Sequence, residues 1–276
     1  MSEDAREHYQ KGVDGQDLVA RVQAFLDQLG DGPISSERLA GIDQFHSGGL
    51  KTTADFFKLL EIQPQMNILD AGSGLGGPSR YVAEKHGCRV TGIDLTDSFV
   101  AVARLLAERM GVADAVRYEV GNLLALPLEN GLFDVAYTQH VLMNIRDRSQ
   151  VYGEIHRVLK PGGKFAFFDV LAVDGSPAPT YPLPWSESPE NSVLLTEDET
   201  RAAMSAAGLE IDSWKDVTKE IIEWFDRFQL PAMQTGNQAP TLTLVMGDRF
   251  ERMAENFVKN LRSDHVRLVM ATSTKR

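Results

Sequence analysis

Apolar positions fall into two periods along this chain, and the change of period divides it. From Gln16 to Leu29, residues Leu18, Val19, Val22, Phe25, Leu26 and Leu29 recur at helical spacing, and Gly30-Asp31-Gly32-Pro33 closes the run. A second helix is expected from Ser35-Ser36 to just before Gly41. A third, Leu50 to Leu60, carries Phe56, Phe57, Leu59 and Leu60 toward a core. From Met66 onward, short continuous apolar runs alternate with amphipathic stretches. Strands are expected near 66–70, 89–94, 115–120, 133–138 and 164–171, with helices near 77–86, 97–110 and 147–159. Such alternation predicts a parallel sheet with helices on both faces.

The pattern loosens after the fifth strand. Val173 to Asn191 is rich in Pro, Ser and Gly and has no clear period, which suggests a functional loop or lid. Thr196 to Ala207 reads as a helix, with Thr196 and Glu199 spaced for a capping box. Leu209 to Val217 reads as a strand, Ile221 to Phe228 and Gly247 to Leu261 as helices, and His265 to Thr274 as a last, seventh strand. The chain therefore divides into an N-terminal helical cap, residues 1–63, and an α/β domain, residues 64–276, whose segment 172–262 holds the lid and acceptor-pocket elements.

The chemistry concentrates at Asp70-Ala71-Gly72-Ser73-Gly74-Leu75-Gly76-Gly77, between the first strand and its helix. The next strand ends in Asp94, 22 positions after Gly72. Strand, glycine turn, helix, strand and acidic tip open a nucleoside-binding unit. Gly72-x-Gly74-x-x-Gly77 also satisfies the dinucleotide fingerprint, in which backbone N–H groups cradle a pyrophosphate. A carboxylate at Asp70 would repel that anion. It would favour S-adenosylmethionine (SAM), which has no phosphate and carries a cationic sulfonium and α-amino group. Asp94 stands where a carboxylate can accept both ribose hydroxyls.

These segments resemble the core of class I SAM-dependent methyltransferases over residues 64 to 171. Asp70-x-Gly72-x-Gly74-x-Gly76 is similar to the first motif of that superfamily, Asp94 to its second acidic residue, and Leu159-Lys160-Pro161-Gly162-Gly163 to the turn before its fifth strand. Gly121-Asn122-Leu123 resembles the segment beside the adenine, although many relatives have Asp where Asn122 stands. The resemblance implies a Rossmann-like sheet of seven strands, six parallel and the last antiparallel at the edge, with an insertion after strand 5. It also implies a cofactor site of Asp70, Gly72, Ser73, Gly74, Gly76, Asp94, Leu95, Asn122, Leu123, Gln139 and His140, with S-adenosylhomocysteine as product.

On the acceptor side, Phe45-His46-Ser47-Gly48-Gly49-Leu50 and Gln139-His140-x-x-Met143-Asn144 resemble bacterial sarcosine/dimethylglycine N-methyltransferases. The resemblance fades after about residue 190. It implies transfer to the nitrogen of a small amine, with carbon or oxygen transfer as the alternative and a SAM-binding regulatory protein without turnover as a remote one. His140 is the first candidate for a catalytic group, because imidazole titrates near neutrality, and His46 is the second, with positioning as its favoured role. Phe45, His46, Met143, Asn144, Tyr181 and Trp185 are the candidate acceptor contacts. Tyr137, Trp224 and Phe228 can add aromatic walls or simply pack.

Composition narrows the partners. The 276 residues carry a net charge of −11 and show no Lys/Arg cluster, which argues against nucleic acid. A small-molecule acceptor is the expected partner, without a membrane, and a homodimer is compatible with the chain. Met1 to Gln10 is polar, so a cytoplasmic setting is expected. One cysteine, Cys88, reads as packing, and no His or Cys pair has metal-ligand spacing, so no metal is expected.

Overall fold

The computed structural model describes residues 18–32, 34–229 and 242–276, with the backbone alone at 228 and 229. The readings at Met1 to Gln10, at Gln16, at Pro33 and for the Phe228 side chain lie outside the described residues. Three helices come first: α1 (Leu18–Leu29), α2 (Ser36–Asp43) and α3 (Gly49–Phe57). The alternating core follows as β1 (Asn67–Ala71), α4 (Gly77–His86), β2 (Arg89–Asp94), α5 (Asp97–Met110), β3 (Val116–Val120), β4 (Phe133–Gln139), α6 (Arg148–Val158) and β5 (Leu159–Ala172). Then come α7 (Glu197–Ala206), β6 (Leu209–Asp216), α8 (Thr218–Trp224), α9 (Thr243–Met246), α10 (Arg249–Arg262) and β7 (Val266–Lys275). Among these helices, none is long and apolar enough to cross a membrane.

The seven strands form one sheet in the order β3-β2-β1-β4-β5-β7-β6. β7 runs antiparallel to both β5 and β6, and the remaining pairings are parallel. The expectation of six parallel strands and an antiparallel last one holds, but the last strand is not at the edge. β7 lies between β5 and β6, and β6 takes the edge. The reason is burial. Val266, Leu268, Val269, Met270 and Ala271 are all buried, so β7 has apolar side chains on both faces. β6 reads Leu-Glu-Ile-Asp-Ser-Trp-Lys-Asp, mostly polar, and suits an outer position.

The cap is fastened to the core. Leu18, Val22, Leu26, Leu39 and Ile42 join Phe99, Val102 and Leu106 of α5 in one apolar cluster. At the start of α4 the backbone of α2 comes so close that a Cβ on Gly77 would strike the Asp43 carbonyl. Arg80, fully buried, donates through Nη2 to Asp43 Oδ2 at 2.8 Å and through Nη1 to the Leu75 carbonyl at 2.7 Å.

The segment after β5 packs against α10. Asn260 Nδ2 donates to the Thr180 carbonyl at 2.9 Å, and Thr180 N donates to Asn260 Oδ1 at 2.8 Å. Asn256 Nδ2 reaches the Pro182 carbonyl at 3.0 Å. Trp185 is thereby buried, its indole N–H donating to Ser192 Oγ at 2.9 Å. The capping box of α7 is formed: Glu199 N donates to Thr196 Oγ1, and Thr196 N to Glu199 Oε2.

Candidate active site

Two cavities meet at the carboxyl ends of β1, β2 and β4. Both are bordered by Phe45, His46 and His140.

The first is built from the β1–α4 turn. Asp70 pairs in register with Gly92 of β2 and Tyr137 of β4. Its Oδ2 accepts from Ser79 Oγ at 2.6 Å and from Tyr137 Oη at 2.7 Å. Burial pushes this carboxyl up to about 7, against the two hydroxyl donors that stabilise the anion. Gly72 N and Ser73 N both donate to the Ile93 carbonyl, which folds the bend back over β2. Gly72 has φ 93°, and a Cβ there would overlap the Val141 side chain, so the bend needs glycine for both conformation and space. Asp94 Oδ2 accepts from Gly74 N at 2.9 Å and Oδ1 from Thr96 N at 2.9 Å. Burial raises the Asp94 carboxyl as well, while those backbone donors pull it down.

β4 delivers the other wall. Gln139 is 8% exposed, and neither atom of its carboxamide has a partner among the described residues. His140 turns the chain at φ 54°, its N–H donating to the Phe168 carbonyl at 2.8 Å, and its Nε2 is buried without a partner among the described residues. Ser73 Oγ is in the same condition. A buried polar group without a partner costs about 1–3 kcal/mol, and a ligand that supplies the partner recovers it. Burial, with His46 close by, holds the His140 imidazole well below its ordinary range, so it is neutral at pH 7.

His46 is arranged differently. The Ser47 carbonyl accepts from Nδ1 at 3.0 Å, and Nε2 faces Thr53 Oγ1 at 2.7 Å. Burial pulls this imidazole down to about 4. Both ring nitrogens are engaged with protein groups, and the ring stands 6.2 Å from that of His140 and 5.9 Å from that of Phe168.

The second cavity is lined by Met143, Trp185, Trp224, Phe225, Met246, Phe250 and Phe257 beside the shared residues. Trp185 meets Phe257 edge to face at 5.3 Å, and Trp224 meets Phe225 at 5.0 Å.

The structure thus brings together Asp70, Gly72, Ser73, Gly74, Asp94, Gln139, His140, Phe45, His46 and Asn144 around the first cavity, and Met143 and Trp185 around the second. Gly76 caps α4 behind the bend, under the Tyr118 hydroxyl. Leu123 is buried in the core, and Leu95 packs against the same cluster. Asn122 Oδ1 accepts from Leu124 N at 3.0 Å, and Tyr181 packs against the main core outside the lining of either cavity. Tyr137 holds Asp70 rather than walling a pocket.

Several residues went unread in the sequence. Thr96 and Phe99 line the first cavity, Phe99 meeting Phe45 edge to face at 5.7 Å. Phe250, Ala254 and Phe257 line the second from one face of α10, at a spacing of three and four that the sequence displays. Asp169, 1% exposed, accepts from Leu142 N at 2.6 Å and so holds the turn that carries His140. A single carboxylate inside the apolar run of β5 was the available sign. Cys88 is buried, its thiol pushed up to about 11, which makes it inert.

Known proteins are similar to parts of this chain. Residues 69–167 match the family described as "Methyltransferase domain". The chain is 33% identical over 159 residues to phosphoethanolamine N-methyltransferase 1 of Zea mays, covering 56% of this chain and 31% of that protein. It is 35% identical over 117 residues to a glycine/sarcosine/dimethylglycine N-methyltransferase of Actinopolyspora halophila, covering 42% of this chain and 21% of that one. It spans about a third of the length of the plant phosphoethanolamine N-methyltransferases it matches. Among solved structures, the geranyl diphosphate C-methyltransferase of Streptomyces coelicolor A3(2) is similar in fold, with a TM-score of 0.66 and 18% identity over 82% of this chain and 79% of that one.

Proposed function

We propose that this protein, whose residues 69–167 match the methyltransferase-domain family, transfers a methyl group from SAM to the nitrogen of a small-molecule acceptor. The observation that carries the reading is the first cavity: a glycine bend between two buried carboxylates, Asp70 and Asp94, opposite the unpartnered Gln139 carboxamide. These groups fit the cofactor. Its cationic methionine end suits Asp70. Its ribose hydroxyls suit Asp94, whose oxygens each keep a lone pair after accepting one backbone N–H. Ser73 Oγ and the Gln139 carboxamide offer the remaining polar contacts. A pyrophosphate at this bend would meet the Asp70 carboxylate.

When bound, SAM supplies an activated methyl: the acceptor lone pair forms a bond to carbon as the carbon–sulfur bond breaks, its electrons pass to sulfur, and an amine leaves as its methylated ammonium beside S-adenosylhomocysteine. The chain's own part is alignment, which in favourable intramolecular cases is worth about 7–11 kcal/mol. Phe45, His46 and His140 stand between the two cavities and fix where the acceptor atom sits. The neutral His140 Nε2 can accept an N–H or O–H from the acceptor and so orient its lone pair. It is a weak base in this setting, so orientation is its main role. The relatives named for N-methyl transfer support nitrogen as the target. The apolar lining of the second cavity supports a second reading, transfer to a phenolic oxygen or a carbon.

Calorimetry with SAM and with NADH tests the reading. SAM is expected to bind and NADH to fail to displace it. An Asp94→Ala variant should bind SAM more weakly by about 1–3 kcal/mol, from lost hydrogen bonds to the ribose. Tight NADH binding with none of SAM overturns the proposal.

A further inference from the structure

We propose that the second cavity takes an acceptor with an apolar, aromatic body and no anionic group: an arylalkylamine class of substrate, not an amino acid or a phosphorylated amine. This inference rests on the methyl-transfer reading and specifies its acceptor.

The lining decides it. Among the described residues around this cavity, the polar side chains are His46, Ser47 and His140, of which His46 and His140 also border the first cavity, and none is an arginine or lysine. The walls are Trp185, Trp224, Phe225, Phe250 and Phe257, with Met143 and Met246 filling between them. A carboxylate or phosphate carried into this space would lose its water and gain no cation, which is prohibitive without a partner. An aromatic body loses nothing on entering. Its amine meets the unpartnered imidazole nitrogen of His140 at the border with the first cavity, and the ammonium formed by methylation meets aromatic faces, which attract cations. His46 leaves this role to His140, because both its ring nitrogens are engaged.

Matched pairs of compounds isolate the anion. Tryptamine and tryptophan share the ring and amine and differ by one carboxylate; phenethylamine and phenylalanine do the same. Sarcosine and phosphoethanolamine represent the small anionic amines. Binding is read by calorimetry with S-adenosylhomocysteine present, and turnover from S-adenosylhomocysteine release. The anion-free member of each pair is expected to exceed its partner roughly 100-fold in kcat/KM. The Trp224→Ala variant should weaken amine binding about tenfold while SAM affinity, measured separately, stays unchanged. Preference for tryptophan, sarcosine or phosphoethanolamine, or binding of no anion-free amine while SAM still binds, overturns this inference and leaves the methyl-transfer reading standing. Failure of SAM itself to bind overturns both.

Discussion

Arg80 donates to Asp43 at 2.8 Å with both side chains shut off from solvent, and this contact ties the helical cap to the helix that begins at the glycine bend. Asp43 also lines the first cavity, so the fastening and the binding site share a residue. Breaking a buried pair from one side leaves an uncompensated charge.

Arg80→Met is therefore expected to lower stability by about 3–5 kcal/mol in denaturant unfolding. The double variant Asp43→Leu with Arg80→Met should lose less than the sum of the two single losses, because neither charge is left alone. Additive losses would show that the pair is not coupled.

Asp70 makes cofactor binding depend on pH. Its carboxyl titrates at about 7 in the free protein, and a cationic ligand favours the ionised form, which lowers that value. Binding then releases a proton when the pH is below 7. Affinity for SAM should fall as pH drops from about 7 and level off above it, losing at most about tenfold per unit. Calorimetry across pH 5.5–7.5 in buffers of different ionisation heat reads both effects. Asp70→Asn should flatten the profile; an unchanged slope in that variant would assign the titration to another group.

His140→Ala should lower turnover about tenfold or more while changing SAM affinity far less. The comparison is kcat from product release against Kd from calorimetry. Equal activity would remove His140 from the reaction. The residue sits at φ 54°, so the alanine variant keeps the strain and does not confuse the comparison by relaxing the turn.

Asp169→Asn tests a positioning residue. Asp169 accepts from Leu142 N at 2.6 Å and from Val170 N at 2.8 Å, and burial pushes its carboxyl up to about 6. The amide keeps the shape but loses acceptor strength toward the turn that carries His140. A fall in kcat with little change in acceptor KM is expected, and the acid limb of the pH–rate profile near 6 should move. A variant with an unaltered profile would restrict Asp169 to a structural part.

The core was legible because its elements combine a strong period with strong punctuation. Asp97 to Met110 shows an apolar stripe ending at Gly111, and the observed α5 has those bounds. The glycine bend and both carboxylates were readable because charge and spacing constrain them together. Three things were not. The order of β6 and β7 depends on comparing burial across two faces, which a linear reading does not rank. The Asn122 side chain closes its own turn on Leu124, a local bond that spacing along the chain does not announce. The second cavity draws on α8 and α10 and on the segment around Trp185, and only the folded chain shows that these face one space.

Phe45, His46 and His140 form a party wall, each touching both chambers. A change there alters the place where donor and acceptor meet, so the wall is a poor place for variation. Phe250, Ala254 and Phe257 face the acceptor chamber from the far side and are absent from the lining of the other. New acceptor preferences can therefore arise along that single helix face while the grip on the methyl donor stays as it is.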